Sequence, residues 1–297
     1  MSGEKDQLLT DAKRVATRSF LHLFIIVTAV VWALPTLGLM ITSFREPQVV
    51  TETGWWTIFV NIDFTQFTLQ NYIEIIGEEN LFRHFFNSVA ITVPGTLIPI
   101  LIASMASYAI AWMRFPGRRA ALVFMVVMLV IPLHITFVPI LQMYRGITDV
   151  TGLQTTGTIT GLIFAHTGYG MPLAVFILFS FFLELPREIG ESAEIDGANT
   201  WQTFRKIVFP LGLPGMASIA IFQFIWVWNS LLVTLMFIQF GSPNAPLNVV
   251  VTNIGSMGQD WHQLTAAAFF LILVPLIIFF ALQRYFVRGL LGGSVKG

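Results

Sequence analysis

Residues 20–43, FLHLFIIVTAVVWALPTLGLMITS, contain no Lys, Arg, Asp or Glu over a run of 24 residues. A helix of this length is about 36 Å long, which is enough to cross the roughly 30 Å hydrocarbon core of a bilayer. The run is longer than the about 7–15 apolar residues of a secretory signal, and it has no clear cleavage pattern. These residues therefore predict a retained membrane span, preceded by a polar tail over residues 1–19.

Five more apolar stretches without Lys, Arg, Asp or Glu follow along the chain, at residues 85–112, 120–144, 159–183, 210–239 and 263–283. Only 11% of the 297 residues are charged and the mean hydropathy is +0.76, whereas about 25% of the residues of a soluble domain are charged. The sequence therefore predicts an all-α integral membrane protein with six transmembrane helices. No internal repeat is evident, so we expect one membrane domain over 20–289 and a short tail over 290–297.

The basic residues predict which side of the membrane each loop occupies. Of the 16 Lys and Arg residues, 13 fall in the N-terminal tail, the second and fourth connections and the C-terminal segment. The remaining three are Arg45, Arg83 and Arg145. Because cytoplasmic loops carry an excess of Lys and Arg, we expect both termini and the loop 184–209 to be cytoplasmic. The outer loop 44–84 is rich in Trp, Phe and acidic residues, which predicts a small packed cap or interfacial helices.

The residues that the spans lack restrict the possible functions. An ion-coupled importer usually carries ionisable residues at membrane depth, and the deepest such candidates in the predicted spans are His134 and His166. With no carboxylate in any span, we expect each histidine to be hydrogen-bonded and structural. The chain has no cysteine, no phosphate-binding loop and no H-E-x-x-H motif, so we expect no catalytic residue, no metal site and no bound cofactor. A net charge of zero gives no reason to expect nucleic acid as a partner.

The second span carries small residues at four-residue spacing, which allow helices to approach closely in lipid. They are Ala103, Ser107 and Ala111. This spacing predicts a packed helix interface but fits any membrane bundle.

The loop 184–209, ELPREIGESAEIDGANTWQTFRKIVF, differs from the others because it is long and carries helix signals. Pro186 suits a first helical position, and the early glutamates favour a helix N-terminus. Gly197 interrupts the pattern, and Asn199 or Thr200 can cap a second short helix that runs to Pro210. We expect two short helices joined by a glycine bend, and their spacing alone leaves docking to a partner or to the lipid surface open.

The same loop resembles the EAA motif of binding-protein-dependent ABC importer permeases. The family pattern is E-A-A, three residues, G, nine residues and I-x-L-P. Here it is met by Glu191-Ser192-Ala193, then Gly197, then Ile207-Val208-Phe209-Pro210. Ser192 replaces the middle alanine and Phe209 the leucine, both mild changes. The string AEIDGA over 193–198 is similar to the carbohydrate branch of the family.

Two other segments support a resemblance to the carbohydrate permeases. The C-terminal stretch QRYFVRGLLGGSVKG, residues 283–297, is similar to the tail of the maltose-type G permease. The stretch TSFREPQVVTETGWW, residues 42–56, is similar to permeases for α-glucosides and glucosylglycerol. The resemblance extends over most of the chain and implies the type I ABC importer permease fold in a bacterial or archaeal plasma membrane.

The resemblance implies an assembly in which this chain moves a sugar and other subunits supply the energy. The implied partners are membrane lipid, a homologous second permease, two ATP-binding subunits that hold ATP and Mg²⁺, and a soluble extracytoplasmic sugar-binding protein. Contact with the ATPases would come from the EAA residues Glu191, Ser192, Ala193, Asp196, Gly197, Ala198, Trp201 and Phe204. Among these, Glu191 would meet a basic group, Gly197 would set the bend, and Trp201 and Phe204 would supply apolar contact.

Two further groups of residues are candidates for function. The tail residues Gly289, Gly292, Gly293 and Lys296 are candidates for contact with the ATPases. The fifth-span residues Gln223, Trp226, Trp228 and Asn229 offer hydrogen-bonding groups and stacking faces for a sugar path, although core packing or helix–helix hydrogen bonding is the simpler explanation of each.

Other functions remain open on the sequence. A permease for a different small polar solute would share the EAA motif. A passive channel would conduct without nucleotide, and it gives no reason for the EAA spacing. A membrane-embedded enzyme would need a polar catalytic cluster that the sequence does not contain.

Overall fold

A computed structural model describes residues 2–60, 63–77, 80–258 and 260–292. These residues are predominantly helical, with one isolated antiparallel β-bridge between Arg45 and Phe67. The α-helices are α1 Ser2–Ser43, α2 Pro47–Glu52, α3 Gln70–Gly77, α4 Leu81–Trp112, α5 Arg118–Val130, α6 Phe137–Thr151, α7 Ile159–Glu184, α8 Glu188–Ile195, α9 Thr200–Thr203, α10 Phe209–Trp228, α11 Leu231–Phe237, α12 Leu247–Met257 and α13 Trp261–Gly292. Short 3₁₀ helices cover Trp55–Phe59, Phe64–Gln66 and Leu133–Thr136, and a π-helical turn covers Phe204–Val208.

The described residues contain five helices that are long and apolar enough to cross a membrane, or six if one bent pair is counted as a single span. The bent pair corrects the prediction of one continuous span over 120–144. Helix α5 ends at Val130, and the segment from Leu133 to Thr151 is bent from it by 102°. The cause is Pro132, because a proline disfavours helical backbone at the residue before it and lacks an N–H donor.

The fifth span also differs from its predicted bounds of 210–239. A continuous 29-residue helical segment runs from Thr200 to Trp228, so the second short helix of the loop 184–209 merges into the span. The helix ends at Asn229, and the separate helix α11 follows. Pro210 does not mark a boundary, because it lies inside this continuous segment, just after the π-helical turn Phe204–Val208.

The terminal helices extend beyond the predicted first and last spans. Helix α1 begins at Ser2, within the polar segment, and α13 continues to Gly292. The chain divides into two compact units, residues 1–75 with 257–270 and residues 76–256 with 271–297.

In the unit formed by residues 76–256 and 271–297, helices α4, α7 and α10 pack together around a common core. Ala103, Ser107 and Ala111 are completely buried there. The Ser107 hydroxyl donates a 2.9 Å hydrogen bond to the carbonyl oxygen of Val175 on α7. The predicted close-packing role of the small residues is therefore confirmed.

In the other unit, a buried arginine organises the outer loop. Arg45 is 1% exposed, and its guanidinium donates to the Gln66 side chain at 2.8 Å and to the Thr53 hydroxyl at 2.6 Å. Asn71 donates to the carbonyl oxygens of Ser43 and Arg45 at 3.0 and 2.8 Å. Burial lowers the pKa of Arg45 from its ordinary value. Of the two predicted alternatives, these contacts favour the packed one, called the cap below.

We expect Arg45→Ala to loosen this cap while leaving the spans intact. The change removes several hydrogen bonds from a charged donor, each worth about 1.5–3 kcal/mol, although neighbouring donors and water will offset part of the loss. Hydrogen exchange of the amides of Glu46 and Thr68, which bond to Gln66 and Phe44, should accelerate by about 10- to 30-fold. The exposed Arg83 is the control, and Arg83→Ala should not change these rates. Unchanged exchange in Arg45→Ala would show that the cap does not depend on the guanidinium.

Candidate functional site

The loop 184–209, called the coupling loop below after the role that its sequence resemblance implies, begins with helix α8. The helix starts at Glu188 with Arg187 as its N-cap, so the prediction that Pro186 takes the first helical position is wrong by two residues. Glu188 and Glu191 lie in the first turn, where negative charge interacts favourably with the helix dipole. The predicted acidic N-terminus is therefore confirmed.

The end of α8 has the hydrogen bonds of a Schellman motif. Gly197 has a φ of +78°, its N–H donates to Glu194 at 3.0 Å, and the Ala198 N–H donates to Ala193 at 2.9 Å. Such an arrangement needs a left-handed residue after the C-cap, which glycine adopts without steric cost. The predicted bend at Gly197 is confirmed, and it fixes the direction in which the chain leaves α8.

Helix α9 begins at Thr200 with a capping box built on Asn199. The Asn199 side chain accepts from the Gln202 N–H at 2.9 Å, and the Gln202 side chain accepts from the Asn199 N–H at 2.8 Å. Two otherwise unpaired donors are satisfied reciprocally. Of the two predicted caps, the structure selects Asn199 and not Thr200.

The coupling loop is held against the end of α4. The backbone of Gly190 lies so close to the Trp112 ring that an added Cβ would come within 2.6 Å of it. The Trp112 indole donates a 2.9 Å hydrogen bond to the carbonyl oxygen of Phe182. The Tyr108 hydroxyl donates to the Thr200 carbonyl oxygen at 3.3 Å. Contacts to α4 therefore fix both α8 and α9.

We expect Gly190→Ala to lower the free energy of unfolding by about 1 kcal/mol. The added methyl group would overlap the Trp112 ring, and the hydrogen bond from this ring to Phe182 restrains it from moving away. Thermal unfolding of the purified protein should show the decrease. Gly146→Ala is the matched control, since a Cβ there meets nothing within 4 Å. Equal stability of the two variants would contradict the expectation.

The structure corrects the prediction that Phe204 presents an apolar face to a partner. Phe204 is 5% exposed, and its ring packs against Tyr108 at 5.2 Å and Phe209 at 5.8 Å between centroids. It holds the loop to the core. The π-helical turn that starts at Phe204 is closed by the Phe209 N–H donating to the Phe204 carbonyl oxygen. Such turns occur frequently at functional sites.

The exposed apolar groups of the coupling loop are Ile195 and Trp201, 86% and 57% exposed. Trp201 was predicted to contact a partner, whereas sequence reasoning missed Ile195. Its only signal was its position at the end of α8 beside the glycine bend. Glu191, Ser192 and Asp196 are also exposed, whereas Ala193 is buried.

A cavity of about 670 Å³ lies between the end of α4 and the coupling loop. Its wall includes both carboxylates and guanidinium groups, from Arg114, Arg187, Glu191 and Glu194. Glu191, the predicted charged contact, therefore lies beside a polar concavity that a partner's side chain can enter.

The predicted tail site is described only in part. Gly289 and Gly292 lie in the last turns of α13. Gly293 and Lys296 lie outside the described residues.

Of the four predicted sugar-path residues, two are buried and two are exposed. Gln223 is 5% exposed and donates to the Gly95 carbonyl oxygen at 3.2 Å. Trp228 is 2% exposed and donates to the Leu271 carbonyl oxygen at 3.1 Å. Both therefore act as core residues in this structure, which contradicts their placement on an open path. Trp226 is 36% exposed and Asn229 is exposed, so both remain candidates.

The structure also corrects the prediction of a hydrogen-bonded His166. This side chain is completely buried, and neither ring nitrogen has a hydrogen-bond partner among the described residues. Its ring lies edge-on to Trp226 with centroids 5.4 Å apart. Within the described part of the chain, no group of three or more His, Cys, Asp or Glu side chains could hold a metal ion.

Comparison with known sequences identifies relatives over most of the chain. Residues 95–292 match the family described as the binding-protein-dependent transport system inner membrane component. The osmoprotective compounds uptake permease protein GgtD of Synechocystis sp. is 45% identical over 93% of this chain and 91% of its own length. The alpha-glucoside transport system permease protein AglG of Rhizobium meliloti is 50% identical over 78% of this chain and 61% of its own length.

The fold is shared with a solved transporter. A chain of a bacterial ABC transporter involved in the import of the acidic polysaccharide alginate matches with a TM-score of 0.68 and 18% identity. The match covers 89% of this chain and 97% of the other, so the expected permease fold is confirmed. This protein is a multi-pass transport subunit and belongs to the family of inner-membrane components of binding-protein-dependent ABC transport systems.

Proposed function

We propose that this permease moves a sugar, an α-glucoside or a related polar osmolyte, into the cytoplasm, and that separate subunits drive the movement by hydrolysing ATP. The observation that carries the coupling proposal is the geometry of the coupling loop. Its backbone is fixed by the bend at Gly197 and the capping box at Asn199, while Ile195 and Trp201 remain exposed. A rigid loop that presents apolar side chains suits a partner surface better than a mobile connection does.

The proposed orientation places the coupling loop and both termini in the cytoplasm. The distribution of 13 basic residues against three supports it. The count of six crossings requires that α5 and α6 form one broken crossing.

The exposure of the first span supports a second permease as partner. Only 6% of the most apolar window of α1 is buried within the chain, compared with 44% for α4. Lipid or a second membrane protein can cover such a surface. We propose that a homologous permease shares the remaining contacts and that the substrate path lies between the two subunits.

The ATPase contact is proposed for the exposed side of the coupling loop. Ile195 and Trp201 would enter an apolar cleft of the ATPase, and Glu191 would meet a basic group at its rim. Ser192, Asp196 and Ala198 would line the same surface. ATP and Mg²⁺ would be bound by the ATPase subunits, and Gly289, Gly292, Gly293 and Lys296 would add a second contact from the tail.

The proposed substrate class rests on the relatives. One relative is named for uptake of osmoprotective compounds and another for transport of alpha-glucosides. A related alginate transporter was solved in complex with a pentasaccharide-bound periplasmic protein. We propose that a soluble sugar-binding protein likewise delivers substrate to the outer face, where Trp226 offers a ring for stacking and Asn229 an amide.

Purification and reconstitution test the proposed function. The chain should co-purify with an ATPase that carries a phosphate-binding loop. Vesicles containing the assembly and its binding protein should take up sucrose, trehalose or maltose only with ATP. Uptake without nucleotide would indicate a passive channel, and ATP-driven uptake of a different solute class would refute the sugar assignment.

A further inference from the structure

Helices α4, α7 and α10 meet at a junction where two glycines allow the helices to approach closely. A Cβ added to Gly95 of α4 would lie 3.4 Å from the Cβ of His166 and 3.5 Å from a methyl group of Val227. A Cβ added to Gly170, one turn beyond His166 on α7, would collide with the Gln223 amide of α10. His166 therefore faces both neighbouring helices at their closest approach.

The His166 side chain at this junction has hydrogen-bonding capacity that the described residues do not use. Both of its ring nitrogens are buried without a partner there. A neutral imidazole offers one donor and one acceptor. Because buried polar groups in proteins are nearly always paired, these atoms point to a polar ligand that completes them in another state of the transporter.

Trp226 packs against His166 and is itself partly exposed on α10. Its ring stands perpendicular to the imidazole, with an interplanar angle of 90°, and more than a third of the residue is exposed. A rotation of this side chain would remove its contact with the imidazole. The indole itself offers a stacking face for a sugar ring.

We propose that His166 is a latent contact for a sugar hydroxyl, which Trp226 covers in the present conformation. The proposal rests on the function proposed above and assigns to this chain a substrate contact at the α4, α7 and α10 junction. Sugar hydroxyls both donate and accept hydrogen bonds, so they match the free capacity of a neutral imidazole.

Thiol labelling tests the cover directly, because the native chain contains no cysteine. In the purified assembly, His166→Cys should react slowly with a water-soluble maleimide, and His166→Cys with Trp226→Ala should react at least tenfold faster. Ala174→Cys is the matched control. Ala174 is also buried on α7, but it lies in the core cluster that contains Ala103 and Phe182. Its rate should be the same with and without Trp226→Ala. If the thiol of His166→Cys reacts equally slowly in both backgrounds, the proposal is overturned.

Transport by variants at His166 tests the contact with substrate. His166→Leu should lower the maximal ATP-driven uptake of the transported α-glucoside by about three- to tenfold, the effect of losing one or two neutral hydrogen bonds. His166→Gln should retain most of the rate, because its amide also donates and accepts. The Michaelis constant should change little if the binding protein sets it.

Deoxygenated sugars separate a substrate contact from a structural role. If His166 binds a hydroxyl, one monodeoxy analogue should be transported more slowly than the parent sugar by the wild type but not by His166→Leu. An equal reduction for all analogues would show that His166 acts only through packing and would overturn the proposal. Absence of any ATP-driven uptake by the wild type would instead refute the proposed function, while the labelling result would still report on the cover.

Discussion

Replacing Gly197 with valine is expected to reduce ATP-driven uptake by about 30-fold or more while leaving the protein in the membrane. Gly197 has a φ of +78°, and a β-branched residue is a steric outlier in that region. A strained backbone of this kind costs about 1–3 kcal/mol, and the cost is relieved if the loop abandons the Schellman motif. Because the motif sets the direction between α8 and α9, the loop would then meet the ATPase in the wrong geometry.

The measurement compares ATP hydrolysis and sugar uptake in reconstituted vesicles. ATP hydrolysis should become independent of substrate, whereas the amount of permease in the membrane should stay the same. Gly197→Asn is the matched control, because asparagine tolerates the left-handed conformation far better than valine, and it should retain most of the uptake. Normal coupling in Gly197→Val would show that the bend has no role in energy transfer.

The combined change Ile195→Ser with Trp201→Ala is expected to weaken binding of the ATPase to the permease by about 300-fold or more. Truncating an interface tryptophan typically costs at least about 2 kcal/mol, and burial of an isoleucine side chain contributes about 1.5–3 kcal/mol. Both residues are exposed in this chain, so the folded permease should lose little stability. The dissociation constant for the ATPase, measured by titration of the solubilised permease, checks the result.

A pair of residues with closely similar exposure provides the control. Val150 and Trp56 are 86% and 60% exposed, and both lie on the side proposed to face outward. Val150→Ser with Trp56→Ala should leave ATPase affinity unchanged. If both double variants bind equally well, the exposed apolar pair of the coupling loop does not contact the ATPase.

Much of the fold could be predicted from the sequence because lipid imposes a simple constraint on each segment. Every backbone polar group in the membrane must be satisfied within its own helix, so long uncharged stretches identify spans without knowledge of the tertiary structure. The bend at Gly197 and the cap at Asn199 were predictable for a similar reason, since their hydrogen bonds are local. The break in the third span was missed although Pro132 marks it, because the flanking residues are uniformly apolar.

The features that could not be predicted depend on residues far apart in the chain. Phe204 was assigned to an exposed face because its helix looks amphipathic alone, whereas Tyr108 of α4 covers it. Gln223 and Trp228 are buried through contacts with Gly95 and Leu271, which no local pattern encodes. The missing partners of His166 likewise depend on how three helices meet.

The end of the coupling loop and the fifth span form one helical segment, so a tilt at one end of this segment displaces its other end. The segment Thr200–Trp228 has 29 residues and is about 43 Å long at 1.5 Å per residue. A tilt of about 10° at its inner end would move its outer end by roughly 7 Å, which exceeds the diameter of a sugar ring. If an ATPase moves the coupling loop by a few ångströms, as proposed above, this segment would produce a larger displacement at its other end.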